Sequence, residues 1–274
     1  MIKSAFRKVT LPVQLIIHNT DLLKHLVGRE VTQRFRGSYL GILWNFIMPL
    51  IMVSVYTFVF GYVFKGKWDY QVSDSMIEFA LTLFSGIMVY NVFSEAVSAS
   101  PLLIISNVNY VKRVVFPLEI LSVANVAGCL VQMIFNALVI LLGKLLVMHQ
   151  FDCFFLFLPL VLMPLVFLAL GFSWALSAIG VYIRDIKQIS SVLTLIFGYM
   201  TPIFYPLSAV PEALQGILRW NPLTTIVENA RRVLIYHQYP QWEALTVVFL
   251  VSYGFMLLGL FIFKRIRPSF ADMV

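Results

Sequence analysis

The sequence predicts an all-α integral membrane protein with six transmembrane helices in a single domain, residues 1–274. Six long apolar stretches follow one another along the chain, and a basic amphipathic segment precedes the first. The chain is 60% hydrophobic and 12% charged, whereas soluble domains carry roughly 25% charged residues. About 20 apolar residues in a helix cross the hydrocarbon core of a bilayer. Such a helix also satisfies its own backbone groups, as lipid requires.

The six predicted spans cover residues 42–64, 77–97, 118–148, 154–183, 189–205 and 244–263. Pro117 suits the start of the third span. Pro159 and Pro164 predict that the fourth span tilts or bends, and the fifth is short and contains Pro202. The fourth span also carries small residues at four-residue spacing. They predict close packing against another helix, either within the subunit or across a dimer: Ala169, Ser173 and Ser177.

Lysine and arginine predict the orientation. If both termini are cytoplasmic, fourteen of the twenty basic residues lie in the terminal segments and inner loops, which agrees with the enrichment of cytoplasmic flanks in positive charge. Residues 65–76 and 206–240 are then external. The net charge of +7 is explained by flanks that face anionic lipid, and we expect no nucleic-acid partner.

Residues 20–37 predict an amphipathic helix that lies on the cytoplasmic membrane surface. Thr20 suits the N-cap and Gly37 suits the end. Apolar residues recur every four positions on one side: Leu23, Val27, Val31 and Phe35. The helix is either a positively charged anchor or a platform that also contacts a cytoplasmic partner.

The predicted inner loop, residues 98–116, is longer than a connection between packed helices requires. Ser100 and Pro101 suit the start of a helix. Residues 102–105 are apolar but too few to span, so we expect a short surface helix that needs a partner. Polar residues follow it, in agreement with a cytoplasmic position: Asn107, Asn109, Lys112 and Arg113.

Residues 206–240 predict two short helices broken by prolines. The first runs from Pro211 to about Trp220, and the second runs from Pro222 to Tyr236 with Asn221 as its cap. Both are too short and too polar to span. Broken backbone at membrane depth is tolerated where protein or a water-filled cavity surrounds it. We therefore expect a gate or pore mouth, with a structured external cap as the alternative.

Four segments, taken in order, resemble the transmembrane subunits of the ABC transporters that export O-antigen, teichoic acid and capsular polysaccharide: REVTQRFRGSYLGILWNFIMPL, NVNYVKRVVFPLEIL, YIRDIKQI and NPLTTIVENARRVLI. The resemblance implies a homodimer in the bacterial cytoplasmic (inner) membrane. It also implies a separate cytoplasmic ATPase that uses ATP and Mg, and a polyprenyl-pyrophosphate-linked polysaccharide as substrate. The chain itself would bind no cofactor or metal and have no catalytic residue.

The resemblance also assigns roles to residues. It places coupling to the ATPase at residues 100–116, with the candidates Ser100, Asn107, Asn109, Lys112 and Arg113. Arg184 and Asp185 are further candidates for coupling, and the alternative for Asp185 is a local ion pair with its basic neighbours. The resemblance places an outer gate at Pro206, Pro211, Trp220, Asn221 and Pro222. The carrier's pyrophosphate needs cationic donors at the inner leaflet, although lipid headgroups would use them equally well: Arg29, Arg34 and Arg36.

Aromatic rings suit weak, sliding contact with sugars, because their faces are apolar and Tyr and Trp add a polar tip. The candidates for lining a channel are Trp44, Tyr56, Tyr90, Trp174 and Tyr199. The alternative for each is a position facing lipid or in the interfacial belt.

Two other functions compete with this interpretation. A membrane-embedded lipid or sugar transferase needs grouped acids or histidines, but the acids are scattered and the sequence contains no D-x-D, H-E-x-x-H or P-loop motif. A secondary transporter of a small solute usually carries an ionisable residue within a span. The span interiors offer amides instead: Asn45, Asn125, Gln132 and Asn136.

Overall fold

The computed structural model describes residues 17–35, 38–63, 68, 76–112, 116–147 and 153–273. Every regular element within these ranges is helical. In chain order the helices are α1 (Thr20–Phe35), α2 (Trp44–Tyr56, continued by π-helical turns over Thr57–Val63), α3 (Met76–Ala99), α4 (Val108–Val111), α5 (Glu119–Val147), α6 (Leu158–Gly180), α7 (Ile186–Tyr199), α8 (Glu212–Trp220), α9 (Pro222–Leu234), α10 (Trp242–Ile266) and α11 (Phe270–Met273).

Five helical stretches in the described ranges are long and apolar enough to cross a membrane: Trp44–Val63, Met76–Leu102, Glu119–Leu146, Phe154–Gly180 and Trp242–Ser269. They confirm the prediction of a multi-pass, all-helical membrane protein. The predicted fifth span corresponds to α7, which has 14 residues. At 1.5 Å per residue α7 is about 21 Å long, which is shorter than the ~30 Å core of a bilayer.

Helix α3 lies at the centre of the bundle. It packs against α2, α5, α6, α7 and α9, and most of its side chains are buried. Most of its buried apolar residues belong to one large core with side chains of α5, α6, α9 and α10, and Phe79, Leu83 and Ile87 pack with Trp68 and Ile203 in a second, smaller cluster. The central position explains why α3 is apolar on all sides rather than amphipathic.

Helices α6 and α10 form a close contact through glycine. A Cβ atom added to Gly259 would lie 2.1 Å from the carbonyl oxygen of Gly171, and one added to Gly171 would lie 2.6 Å from a ring atom of Phe255. The predicted small-residue row of α6 is wholly buried within the subunit: Ala169, Ser173 and Ser177. Close packing is thus confirmed, and its partners lie in the same subunit.

Helix α1 packs on α5 rather than facing only the membrane. Leu26 is buried in the main core, and Leu22, Leu23 and Val27 contact that core. The helix includes Thr20, but the Thr20 hydroxyl donates a hydrogen bond to the Ile17 carbonyl oxygen at 2.9 Å. The predicted capping role of Thr20 is therefore wrong.

Candidate functional site

The predicted site residues lie mainly near the two ends of α3, which is about 36 Å long for its 24 residues. We call residues 100–112, with α1, the α6–α7 turn and residues 116–119, the loop end. We call residues 201–241 the proline-rich end.

The first part of the loop, at Ser100, continues α3 instead of starting a new helix. The Ser100 hydroxyl donates to the Ala96 carbonyl oxygen at 2.5 Å and is buried. Leu103 and Ile104 are also buried, so the prediction of an exposed apolar surface helix is wrong. The loop is held close to α6, because a Cβ atom on Gly180 would lie 2.3 Å from the Pro101 carbonyl oxygen.

The second part of the loop presents polar side chains at the surface. Asn109 and Lys112 are exposed, and so are Arg184 and Asp185 in the α6–α7 turn. Helix α7, which follows this turn, contacts the first residues of the loop. Four of the residues predicted to contact an ATPase therefore lie at one end of the bundle with free access from outside. Arg113 lies outside the described residues.

Arg29 joins α1 to the loop. Its guanidinium donates to Asn107 Oδ1 at 3.0 Å and to the Tyr110 hydroxyl at 3.1 Å, and it lies 5.6 Å from the centre of the Tyr110 ring. Tyr110 in turn stacks on Phe116, with ring centres 4.4 Å apart. Binding of pyrophosphate by Arg29 stays a prediction, and it would compete with these bonds. Arg36 and the side chain of Arg34 lie outside the described residues.

A buried carboxylate joins α5 to the end of α10. Arg267 donates to both carboxylate oxygens of Glu119, at 2.8 and 3.0 Å, and to the Phe116 carbonyl oxygen at 3.1 Å. The Glu119 side chain is 3% exposed, whereas the Arg267 side chain is 38% exposed. The sequence analysis did not identify this pair, whose two residues are 148 positions apart.

At the proline-rich end both predicted helices are present, as α8 and α9. Asn221 caps α9, because its side chain accepts a hydrogen bond from the Leu223 backbone N–H at 3.0 Å. Its Nδ2 also donates to Thr201 Oγ1 at 2.9 Å. Pro222 occupies the first turn, and Pro211 precedes α8. Helix α9 is largely buried against α3 and α6, whereas Trp220 at the end of α8 is 89% exposed.

Arg231 is the central cation of this end and is wholly buried. It donates to the carbonyl oxygens of Pro202 at 2.8 Å, Ile203 at 2.9 Å and Thr82 at 3.3 Å, and to a carboxylate oxygen of Glu228 at 2.7 Å. Its guanidinium carbon lies 4.1 Å from the centre of the Trp68 ring.

A single side chain thus holds the broken segment after α7 against α3 and α9. The sequence prediction treated Arg231 as an external loop charge and missed this role. The adjacent Arg232 has the same chemistry, so the sequence contains no signal that distinguishes the buried arginine from its neighbour.

Two further polar groups secure the same end. Lys144, buried in α5, donates to the carbonyl oxygen of Leu234 at the end of α9, at 2.9 Å. A cation at a helix C-terminus is favourable for the helix dipole. Tyr236 is buried beside Thr82 and Arg231, and desolvation raises the pKa of its hydroxyl above the ordinary value, so this hydroxyl stays neutral.

The model of the ABC-2 type transporter family matches residues 21–235. The chain belongs to the ABC-2 type transporter family. It is 28% identical over 256 residues to the O-antigen export system permease protein RfbA of Myxococcus xanthus, covering 92% of this chain and 95% of that protein. It is 24% identical over 260 residues to RfbA of Klebsiella pneumoniae, covering 93% and 95%, and 24% identical over 243 residues to the polysialic acid transport protein KpsM of Escherichia coli, covering 86% and 90%.

The candidate channel aromatics of this ABC-2 chain occupy different environments. Trp174 is wholly buried and donates to the Glu119 carbonyl oxygen at 3.0 Å, so it is a core residue and its assignment to a channel wall is wrong. Tyr90 is half-buried and donates to the Thr194 carbonyl oxygen at 2.8 Å. Tyr56 is also half-buried, whereas Trp44 and Tyr199 are exposed.

Two apolar faces of the ABC-2 chain remain uncovered. Most side chains of the Trp44–Val63 stretch are exposed or half-buried. Helix α7 exposes a second face, formed by Ile189, Val192, Leu195, Ile196 and Tyr199. Exposed apolar faces of this size contact lipid or another protein surface.

Proposed function

We propose that this chain is the membrane-spanning subunit of an ATP-driven exporter that moves a lipid-linked polysaccharide, of the O-antigen or capsule type, across the bacterial cytoplasmic membrane. The observation that carries the proposal is similarity over nearly the whole chain to two proteins named O-antigen export system permease and one named polysialic acid transport protein. ATP hydrolysis is assigned to a separate subunit that binds ATP and Mg, so this chain is a transport subunit and not itself an enzyme.

The loop end is the proposed docking site of the ATPase. Its exposed polar side chains support this role, because such groups tolerate a cytoplasmic interface: Asn109, Lys112, Arg184 and Asp185. Asn107, which is half-buried, and Arg113, which lies outside the described residues, are included in the proposed site by their place in the chain. Movement of the loop would reach three elements directly. Arg29 connects it to α1, the Gly180 contact connects it to α6, and residues 116–119 connect it to α10 through Arg267.

The proposed topology places both termini in the cytoplasm and the proline-rich end outside. In this topology α7 and residues 200–205 together cross the membrane between α6 and α10, which brings the number of crossings to six. Arg231 and Asn221 support this arrangement, because they hydrogen-bond the non-helical segment, as broken backbone at membrane depth requires. In a background without Cys129 and Cys153, Asn109→Cys should be labelled from the cytoplasmic side and Tyr239→Cys from the outer side. The reverse pattern would contradict the topology.

The proposed homodimer forms through the uncovered faces of α2 and α7. The exposed apolar rows on these two helices support it, and the half-buried Tyr56 and the exposed Tyr199 would then lie beside the interface. A cysteine replacing Val192 should form a disulfide with the second copy in membranes. If that residue reacts only with lipid-soluble reagents and never cross-links, the α7 face contacts lipid instead.

Coupling is tested by reversing the charges of Lys112 and Arg113 together, each to Glu. We expect the variant to insert and dimerise, to fail to stimulate the ATPase, and to block export. The matched control reverses Lys264 and Arg265, which lie on the same proposed side and should keep export. Loss of insertion would assign Lys112 and Arg113 to topology, and unchanged export would contradict the coupling role.

An export assay in cells with and without the ATPase separates the alternative functions. A secondary transporter would move its solute without any ATPase, so export from cells lacking the partner gene would favour that function over the proposal. A transferase would modify the glycolipid on one side of the membrane without moving it.

A further inference from the structure

A cavity of about 1050 Å³ opens at the proline-rich end. Helix α8 and residues 206–211 form one side of it, and α9 forms the other, with Trp68 and Tyr236 also in its wall. The cavity belongs to one subunit and is separate from the uncovered α2 and α7 faces described above.

Helix α8 faces this cavity with its polar side. Glu212, Gln215 and Arg219 line the cavity, and their spacing of three and four residues places them on one face of the helix. Leu214 and Ile217 are each more than half exposed on the other side. A helix with polar residues inward and apolar residues outward is inverted relative to a soluble protein, but it suits a helix between lipid and a water-filled space.

Helix α9 contributes a second polar row with the same spacing: Thr225, Glu228 and Arg232. Two of these side chains are already held in place. Glu228 accepts a hydrogen bond from the buried Arg231 at 2.7 Å, and Arg232 Nε donates to the Tyr239 carbonyl oxygen at 3.1 Å. Polar groups fixed before binding lose less conformational freedom when a ligand arrives.

The lining defines the chemistry of the ligand. Among the described lining residues, two carboxylates face two guanidinium groups. The positive charge of Arg231 behind Glu228 is already engaged by Glu228 and three carbonyl oxygens, so this lining does not concentrate free positive charge for a polyanion such as pyrophosphate. Carboxylates accept hydrogen bonds, guanidinium groups donate them, and an amide and a hydroxyl do both. Lipid tails gain nothing from such a lining. The cavity is large enough for a small organic ligand, and a molecule with many hydroxyl groups satisfies this mixture of donors and acceptors.

We propose that this cavity is a saccharide-binding site, which holds one or a few sugar rings of the polymer at the end of the permease opposite the ATPase. The choice of a saccharide among polyhydroxylated ligands rests on the proposed export function. The position of the site implies that a sugar ring in the cavity contacts α8 and α9 together.

The test uses the purified full-length chain in lipid nanodiscs without an ATPase. Saturation-transfer NMR measures binding of methyl glucoside, methyl mannoside, methyl rhamnoside and methyl N-acetylglucosaminide at millimolar concentration, with inorganic phosphate as the anionic probe. We expect saturable binding of at least one glycoside, which phosphate does not displace. The double variant Thr225→Val/Arg219→Gln should bind that glycoside about tenfold or more weakly, because it loses the Thr225 hydroxyl and replaces the five N–H donors of the Arg219 guanidinium with the two of a shorter amide.

The matched control is Thr246→Val/Arg265→Gln, which makes the same two changes outside the cavity and should bind normally. Equal thermal unfolding of both double variants shows that the cavity variant is folded. The proposal is overturned if no glycoside binds, if phosphate displaces the glycoside, or if the two double variants bind equally. Because binding is measured without ATPase or transport, such a failure would leave the export proposal standing. Conversely, the variant with Lys112 and Arg113 both changed to Glu should lose export and still bind the glycoside normally.

Discussion

Replacing Arg231 with leucine tests whether one buried guanidinium holds the proline-rich end together. The change removes the charged donor from the carbonyl oxygens of Pro202 and Ile203, both in buried residues. A buried acceptor left without a partner costs about 1–3 kcal/mol. The Glu228 carboxylate also loses its hydrogen bond to Arg231, but its side chain is 29% exposed and can bind water instead, so this lost bond adds little to the cost. The two orphaned acceptors together cost about 2–6 kcal/mol. Removing the cost of burying a cation offsets part of that loss, so the net destabilisation is about 2–4 kcal/mol.

The measurement is thermal unfolding of the purified protein, combined with the reactivity of a cysteine at position 203 in the cysteine-free background. Arg231→Leu should lower the unfolding temperature and expose position 203 to a thiol reagent. Arg231→Lys should be intermediate, because lysine keeps the charge but lacks the planar fork of donors.

The matched control is Arg232→Leu. Arg232 is half-buried, and within the described residues its side chain donates one hydrogen bond, to the Tyr239 carbonyl oxygen, so its loss should cost about 1 kcal/mol or less. Equal effects of the two leucine variants would refute the role assigned to Arg231. So would an Arg231→Leu protein in which position 203 stays protected.

Three further predictions concern the helix contacts and the loop end. Gly259→Ala places a Cβ atom 2.1 Å from the Gly171 carbonyl oxygen and should destabilise the protein by about 3 kcal/mol or more in thermal unfolding. The control Gly254→Ala, whose Cβ atom has nothing within 4 Å, should be neutral or stabilising, and equal effects of the two variants would place the α6–α10 contact elsewhere. Arg267→Gln should lower the free energy of unfolding by about 1–3 kcal/mol, and adding Glu119→Gln should recover part of that loss, as a double-mutant cycle measures. If the effects of the two substitutions on the free energy of unfolding simply add, the ion pair is excluded. Arg29→Gln should speed the hydrogen exchange of residues 107–111 and reduce the stimulation of the ATPase, whereas Lys24→Gln, a change at an exposed residue of the same helix, should do neither. Unchanged exchange in the Arg29→Gln protein would show that the loop is held in place without α1.

Local chemistry predicted much of the proline-rich end. Asn221 before Pro222 is an N-cap followed by a favourable first residue, and α9 begins there in the structure. Pro211 before Glu212 gave the start of α8 in the same way. These predictions succeeded because the signals act within one helical turn of the residues they concern. Hydropathy predicted six spans, and five of them are long and apolar enough in the described residues to cross a membrane, since the bilayer imposes a fixed length on each helix.

Long-range contacts explain what the sequence did not predict. Ser100 has the same local signals as Asn221, yet its hydroxyl donates backward to Ala96 and α3 runs on into a short 3₁₀ turn. The difference lies in tertiary packing, because the Pro101 carbonyl oxygen sits against Gly180 and Ile104 enters the core. No pattern within 20 residues of Ser100 contains that information.

The partners of buried charges are equally distant. Arg231 bonds to residues 28, 29 and 149 positions away, and Glu119 bonds to a residue 148 positions away. In the sequence both residues look like ordinary charged residues beside a membrane helix, because the pairing of charges produces no periodic sequence pattern. A single sequence therefore predicts where helices begin and end better than it predicts which polar groups join them.

Helix α3 links the two candidate sites physically. At one end its Ala96 carbonyl oxygen accepts hydrogen bonds from Ser100 and from Asn125 of α5. At the other end its Thr82 carbonyl oxygen accepts from Arg231, and Gly86 leaves room for that guanidinium, since a Cβ atom there would lie 2.8 Å from Arg231 Nη2. A helix buried over most of its length moves as a rigid element rather than bending locally. A displacement of the loop would therefore reach Arg231, and through Glu228 it would reach the wall of the cavity between α8 and α9.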